Sequence, residues 1–313
     1  MPSDSFSMSD CEMKILLLLK RGLGNQLFQY AAGLFFARHY GAALEIIREP
    51  HHLAVSFGHP RPFLLSNFCI STPVRELTMR DRLMCSVALI KRPVASTARF
   101  VSRTAVYRQH FLADGTFLRE LPISRRTRNL YLEGNFQAHQ FAQELEQRIR
   151  AEFSFRNSAF GNNLATLSQI RAAQHSVSLH FRRGDYVVRG KGPQVLSLSY
   201  YERAMRSMLE RLRKPIFFVF SDDIAFAREN LPNGENIVFV DHNDEANACE
   251  DLRLMSACSH NIVANSTFSW WGAWLNPNPT KVVCAPMSWQ NINPDVPYTD
   301  LIPPTWQRIA TTG

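Results

Sequence analysis

Ser176-Val-Ser-Leu-His-Phe-Arg-Arg-Gly-Asp-Tyr186 reads as a strand that runs into a charged, glycine-containing loop. Alternate side chains of a strand share a face, so Ser178, His180 and Arg182 point one way and Val177, Leu179 and Phe181 the other. Further apolar strands are expected near 216–220, 236–240, 260–264 and 281–285. Helical patterns precede the strand at 176 and fill each gap from the second strand onward. Ser199 with Glu202 has the capping-box spacing, which predicts a helix start there. Strands and helices alternating at this interval mean a parallel, doubly wound α/β sheet. Ligands of such sheets bind at the carboxyl ends of the strands. The loops after Arg182, Phe220, Val240, Ala264 and Ala285 are therefore the places to search for chemistry.

The same logic extends upstream. Met13-Lys-Ile-Leu-Leu-Leu-Leu19 is a continuous apolar run with the length of a buried parallel strand. Lys20-Arg-Gly-Leu-Gly-Asn25 breaks it, and a helix is expected from about Gln26 to Tyr40, with Leu27, Ala31, Leu34 and Phe35 on one face. Ala42-Ala-Leu-Glu-Ile-Ile47 and Leu130-Tyr-Leu-Glu133 read as strands, and 138–150 as a helix. Residues 48–128, broken by prolines and rich in arginine, read as short helices and loops. The chain thus divides into two halves, with the boundary at about 155–172.

A length of 313 residues accommodates two domains of ordinary size. The 45% hydrophobic and 20% charged content is that of a globular enzyme. Ile15-Leu-Leu-Leu-Leu19 is far shorter than the ~20 residues needed to span a bilayer, and it lacks a signal-peptide cleavage pattern. Cys11, Cys69, Cys85, Cys249, Cys258 and Cys284 form no CxxC pair, as expected of buried thiols in a reducing compartment. These features together predict a cytoplasmic protein. His51-His52 with His59 is the one histidine cluster, and its spacing does not match a zinc site. Residues 75–128 hold twelve Lys/Arg and four Asp/Glu, an excess equal to the net charge of +8 of the whole chain. That excess is either a solvated face or a surface for an anionic membrane leaflet or acidic glycan. No nucleic-acid-binding motif accompanies it, so no nucleic-acid partner is expected.

Three strand ends carry candidate chemistry. At the first, Arg182 presents a fork that fits a diphosphate, and Gly184 lets the backbone turn close to a ligand. A histidine and an arginine side by side are costly to bury without an anion. The alternative is an ion pair of Arg182 with Asp185 across the seam between the halves. At the second, Phe220-Ser-Asp-Asp223, the paired acids can bind a metal, accept hydrogen bonds from a guanine or ribose, or cap the helix that begins near Ile224. At the fourth, Ala264-Asn-Ser-Thr-Phe-Ser-Trp-Trp-Gly-Ala273, Ser266, Thr267 and Ser269 converge on a helix N-terminus, which forms an anion site or is simply capped. Gly22-Leu-Gly-Asn-Gln26 lacks the lysine of a P-loop and suits the lining of a cleft between domains. A cationic and backbone anion site without a metal cage is the design of a metal-independent transferase.

Taken in order, Gly22-Leu-Gly-Asn-Gln-Leu-Phe-Gln-Tyr30, Glu133-Gly-Asn-Phe-Gln137, His180-Phe-Arg-Arg-Gly-Asp-Tyr186, Phe220-Ser-Asp-Asp223 and Asn265-Ser-Thr-Phe-Ser-Trp-Trp-Gly-Ala273 resemble the alpha-1,2-fucosyltransferases of glycosyltransferase family 11, in their short bacterial form. The resemblance spans roughly residues 13–290. It implies a GT-B-like fold of two Rossmann-type domains whose parallel sheets face a central cleft, with 1–160 on the acceptor side and 161–313 binding GDP-fucose. It implies inverting transfer of fucose from GDP-beta-L-fucose to O2 of a terminal beta-galactoside in surface-glycan or O-antigen synthesis, with no metal and no cofactor. By the same resemblance Arg182 meets the beta-phosphate, and Ser266, Thr267 and Phe268 form the phosphate turn. Gly22, Gly24, Arg183, Ser221, Asp222, Asp223 and Ser269 join them on the donor. Asn25 matches an asparagine near the reacting centre of related protein fucosyltransferases; His180 supports the site from the same strand face, and Asp185 is by proximity a candidate base, an orienter of Arg182 or His180, or neither. Some relatives place a glutamate ten residues after the motif histidine; here that position is Gly190, which leaves the general base open among Asp185, a water relay and late deprotonation.

Overall fold

The computed structural model describes residues 13–49, 55–56, 59–60, 62–88, 103–109, 115–183, 195–232, 234–289 and 300–311. The first half contains β1 (Lys14–Leu19), α1 (Leu23–Tyr40), β2 (Ala43–Arg48), a two-residue hairpin of β3 (Val55–Ser56) and β4 (His59–Pro60), β5 (Val74–Glu76), α2 (Met79–Ala88), β6 (Thr104–Arg108), β7 (Asn129–Glu133), α3 (His139–Gln143) and α4 (Glu146–Glu152). The second contains α5 (Gly161–Ala172), β8 (Ser176–Phe181), α6 (Leu198–Arg211), β9 (Ile216–Ser221), α7 (Ile224–Asn230), β10 (Ile237–Val240), α8 (Ala248–Ala257), β11 (His260–Ile262), α9 (Thr267–Leu275), β12 (Val283–Pro286) and β13 (Gln307–Ile309).

Two parallel sheets result. The first has the order β5-β2-β1-β7-β6 and the second β10-β9-β8-β11-β12-β13. A strand near the centre of each is buried over nearly its whole length: Ile15 to Leu19 in β1 and all of Ser176 to Phe181 in β8. Strands covered on both faces are selected by continuous apolar sequence, which β1 has; β8 is buried along its whole length although Ser176, Ser178 and His180 alternate with its apolar residues. In each sheet the order reverses beside that central strand, between β1 and β7 and between β8 and β11. Such a switch point opens a crevice at the strand carboxyl ends.

Four local expectations are corrected. The region 48–128 is not all loop and helix, because β5 and β6 form the two edges of the first sheet. Edge strands tolerate charge, and Arg75 of β5 pairs with Asp81 at 2.6 Å and with Glu45 at 3.3 Å. Helix α1 starts at Leu23, not near Gln26. The buried Gln26 side chain donates to the carbonyls of Arg21 and Pro62 and accepts from Leu64 N–H, which ties down the turn. The helix expected over 138–150 is two pieces, interrupted at Glu144 and Leu145. The N-cap of α6 is Ser197, and Ser199 lies inside the helix, so the Ser199–Glu202 capping box does not form.

Helix α1 is more deeply buried than one apolar face would require. Between Leu23 and Ala37 only Asn25 keeps partial exposure. The second cover is α9 from the other half: Phe28 meets Trp270 and Trp271 at ring distances of 4.5 and 5.0 Å. One hydrophobic core therefore runs from β1 and α1 through Trp270, Trp271 and Trp274 to Trp306. Of the cysteines, Cys249, Cys258 and Cys284 are buried thiols as expected, while Cys69 is exposed. Cys11 and the His51, His52 and His59 cluster fall outside the residues whose side chains are described, as do the side chain of Cys85 and much of the 75–128 segment.

Candidate active site

The second sheet's switch point gathers residues after β8 and after β11. Arg182 and Arg183 follow β8 directly. The Arg182 guanidinium lies 3.1 Å from the Asp222 carboxylate, and Asp222 also accepts from Arg183 N–H at 2.9 Å. Arg183 pairs with Asp223 at 2.6 Å and stacks 3.7 Å over the Phe226 ring. Asp223 caps α7 by accepting from Phe226 N–H. The two acids are thus occupied by two arginines and a helix terminus, which argues against the metal reading and places a neutralised ion-pair layer beneath the site. Ser221 donates to the Phe181 carbonyl at 2.7 Å and accepts from Asp223 N–H at 3.0 Å. It joins the ends of β8 and β9 and has no hydroxyl proton to spare for a ligand. The partner of Arg182 seen here is Asp222; Asp185, the partner considered from sequence, lies with Gly184 outside the described residues.

His180 corrects a second expectation. It is 4% exposed, and burial together with the nearby Arg182 charge pushes its pKa down to about 3. It is a neutral imidazole, not a second cation beside Arg182. Its ring lies 5.8 Å from that of Phe268, and its Nδ1 has no hydrogen-bond partner among the described residues.

Across the crevice stands α9. Ser266 is its N-cap and accepts from Phe268 N–H at 3.4 Å. The Ser269 hydroxyl is buried, donates to the Ser266 carbonyl and accepts from Ala264 N–H. Its hydrogen bonds are spent shaping the turn, so of the three hydroxyls expected to converge on an anion, Thr267 at the partly exposed first position of the helix is the best placed. The far end of α9 is held by two cations. Lys281 Nζ donates to the carbonyls of Ala273, Trp274 and Asn276, and Arg150 reaches over from α4 to those of Trp274 and Leu275. Cations at a helix C-terminus complement its dipole, and burial pulls the Lys281 pKa down to about 8.

The first half touches this turn through Gly24. A Cβ on Gly24 would lie 2.5 Å from Phe268 N and 2.7 Å from Thr267 Oγ1. No donor atom fits between them, so Gly24 is a contact that seats α1 on the first turn of α9 rather than a ligand-lining residue. Gly22 is the N-cap of α1 and has open space at its Cα. Asn25, which follows Gly24, accepts from Gln137 Nε2 at 2.8 Å. That bond bridges the β1–β7 switch point. Two further residues not singled out from sequence stand at the carboxyl side of the sheets, Glu133 at the end of β7 and Asp251 on a helix facing the loop after β10. Glu133 accepts from Lys20 and Arg108, each at 2.7 Å. Asp251, on α8, accepts from Asn243 at 2.7 Å in the loop after β10, and burial raises its pKa to about 6. An EGNFQ segment after a strand carried the signal for Glu133; the Asp251 environment depends on residues far apart in sequence and left no signal.

Comparison with known proteins places this geometry. The profile of glycosyl transferase family 11 matches residues 108–309. The chain is 29% identical over 283 residues to the O-antigen biosynthesis glycosyltransferase WbnK of Escherichia coli, covering 87% of this chain and 93% of that protein. It is 27% identical to an alpha-1,2-colitosyltransferase of Escherichia coli, over 94% of this chain and 98% of that one. It is 28% identical to galactoside alpha-(1,2)-fucosyltransferase 1 of Leontocebus fuscicollis, over 80% of this chain and 62% of that longer protein. The fold is shared with the crystal structure of NodZ alpha-1,6-fucosyltransferase soaked with GDP-fucose, at a TM-score of 0.51 and 16% identity over 85% of this chain and 93% of that one.

Proposed function

The chain belongs to glycosyl transferase family 11, a glycosyltransferase of GT-B fold, and from that premise we propose that it transfers L-fucose from GDP-beta-L-fucose to O2 of a terminal beta-galactoside in surface-glycan or O-antigen synthesis. The observation that carries the reading is the pairing of Arg182, tethered by Asp222, with the N-terminus of α9 at one switch point. In the reaction the bond from the anomeric carbon to the beta-phosphate oxygen breaks. The acceptor O2 forms its bond on the opposite face, inverting the configuration and releasing a proton. Negative charge grows on the departing diphosphate. Arg182 and the first-turn N–H groups of α9 supply fixed donors for it, with no reorganisation needed at the moment of reaction. Neutral His180 supports this site from the same strand face, and Asn25 offers an amide near the reacting centre.

The test is product formation. Purified protein given GDP-fucose and lactose, N-acetyllactosamine or Gal-beta-1,3-GalNAc should yield a fucosylated disaccharide with an alpha-1,2 linkage by NMR. A protein inactive with all three refutes the reading. The alpha-1,2-colitosyl relative favours one rival, a different GDP-sugar with the same linkage, and a donor panel separates the two. EDTA should leave the rate within twofold. Strong inhibition reversed by manganese would revive a metal role for Asp222 and Asp223.

We also propose a peripheral place on an anionic membrane leaflet. Helix α2 turns Asp81 and Met84 toward the first sheet while Met79 is 79% and Leu83 61% exposed, one turn apart and beside Arg80. An apolar and cationic helix face suits an interfacial position. No helix among the described residues is long and apolar enough to cross a membrane. Co-sedimentation with phosphatidylglycerol vesicles should fall when Met79 and Leu83 are changed to serine, and equal binding to neutral vesicles would contradict the proposal.

A further inference from the structure

The molecule has two switch points, and the diphosphate reading uses only one. The other lies between β1 and β7. Lys20 follows β1, Glu133 ends β7 and Arg108 ends the neighbouring β6. Lys20 Nζ lies 2.7 Å from Glu133 Oε1, and the Arg108 guanidinium lies 2.7 Å from Oε2 through both Nε and a terminal nitrogen. The trio joins positions 113 and 25 residues apart in sequence. Beside it the Gln137–Asn25 amide pair crosses the same crevice. Gln137 is 6% exposed, and its Oε1 is buried without a hydrogen-bond partner among the described residues. A buried acceptor left unpaired is destabilising, and a donating hydroxyl from a ligand would satisfy it.

We propose that Glu133, flanked by Lys20 and Arg108, binds hydroxyl groups of the acceptor's terminal sugar, with Gln137 as a further acceptor of a hydroxyl hydrogen bond. The chemistry selects the ligand. Glu133 offsets one of the two positive charges and the two cations cover its carboxylate, so the trio favours neither a multiply charged anion nor a bare cation. A sugar hydroxyl both donates and accepts. Each Glu133 oxygen retains a lone pair for it, and Lys20 and Arg108 retain N–H groups not used on Glu133. The two cations hold the carboxyl below its ordinary range against the opposing effect of burial, so it stays a hydrogen-bond acceptor at any working pH. The partner is therefore a neutral polyhydroxylated ring. The Gly24 contact keeps Asn25, and through it Gln137, adjacent to the phosphate turn. The two switch points thus present acceptor and donor to one another.

This inference rests on the chain acting on a sugar acceptor. Binding of methyl beta-D-galactoside and of GDP is measured separately by calorimetry on wild type, Glu133→Gln, Lys20→Met and Arg108→Gln, each checked for a native melting transition. Galactoside affinity should fall at least tenfold in Glu133→Gln and in one or both of the cation variants, with GDP affinity within twofold of wild type. Unchanged galactoside affinity in a folded Glu133→Gln overturns the inference, as does a parallel loss of GDP affinity. Lys20→Met and Arg108→Gln decide the matter by the same criteria if Glu133→Gln does not fold. A wild type that binds GDP but no galactoside refutes the acceptor assignment under the proposed function and this site with it. A wild type that binds galactoside but transfers another sugar refutes only the donor.

Discussion

Gly24, in the first turn of α1, leaves room for the Phe268 backbone: a methyl group at Gly24 would sit 2.5 Å from Phe268 N. The obstruction is main chain at the start of α9, which cannot swing aside as a side-chain tip can. Gly24→Ala must push α1 and α9 apart. Overpacking of this kind costs about 1–3 kcal/mol, so the melting temperature should drop by several degrees. Because the displaced turn holds the diphosphate in our reading, GDP affinity should fall at least tenfold. A Gly24→Ala protein with wild-type melting and GDP binding would contradict the rigid contact.

Arg182 is tethered by Asp222, and the tether separates two effects. Arg182→Ala should lose activity by several orders of magnitude with its fold intact. Arg182→Lys should recover little of it, because a point ammonium cannot reproduce a two-pronged hydrogen bond. Asp222→Asn leaves the guanidinium but frees its orientation, so kcat should fall about tenfold while protein stability changes little. Steady-state kinetics with GDP-fucose checks all three. An active Arg182→Ala enzyme would sink the phosphate assignment.

Buried His180 makes the protein acid-sensitive. Burial, reinforced by the Arg182 charge, lowers its pKa from 6.5 to about 3. Between those values the unfolded chain takes up a proton at this position and the native protein does not. Stability present above pH 6.5 is therefore lost as pH falls, by up to about 5 kcal/mol near pH 3 at about 1.4 kcal/mol per pKa unit. Urea unfolding of His180→Asn should depend less steeply on pH between 6.5 and 4 than wild type. Identical slopes would mean that His180 is charged in the native state.

Asp251 runs the other way. Burial raises its pKa from 3.8 to about 6, offset in part by the Asn243 hydrogen bond and increased by Glu250. The native carboxyl keeps a proton that the unfolded chain has released, so its contribution is present below pH 3.8 and lost as pH rises through 6. At pH 8 the charged carboxylate costs about 1–3 kcal/mol. Asp251→Asn removes that cost and can still accept from Asn243. It should be more stable than wild type at pH 8 and equal to it near pH 4, as read from melting curves at the two values.

Much of this was legible in the residue string. The unbroken apolar run at Ile15–Leu19 marked the first central strand, since a strand covered on both faces selects such sequence, and the Val177, Leu179 and Phe181 alternation ahead of a charged glycine loop marked the second. The carboxyl-end rule then pointed to Arg182 and the 265–269 turn. β5 and β6 were missed because edge strands such as Val74–Glu76 carry charge on a short stretch and lack the apolar signature.

What sequence by itself determined is which residue types stand at strand ends: an arginine pair, a Ser-Thr turn, a Gly-rich bend. Tertiary structure alone decided which of them are available. Ser269 and Ser221 look like ligand donors in the string, yet their hydroxyls are committed to backbone carbonyls, that of Ser266 in the same turn and that of Phe181 on the neighbouring strand. Glu133 gains its meaning from Lys20, 113 residues away, because parallel register set β1 beside β7. Charge and hydrogen-bonding capacity belong to the residue, but their use is settled by the neighbours that chain crossing supplies.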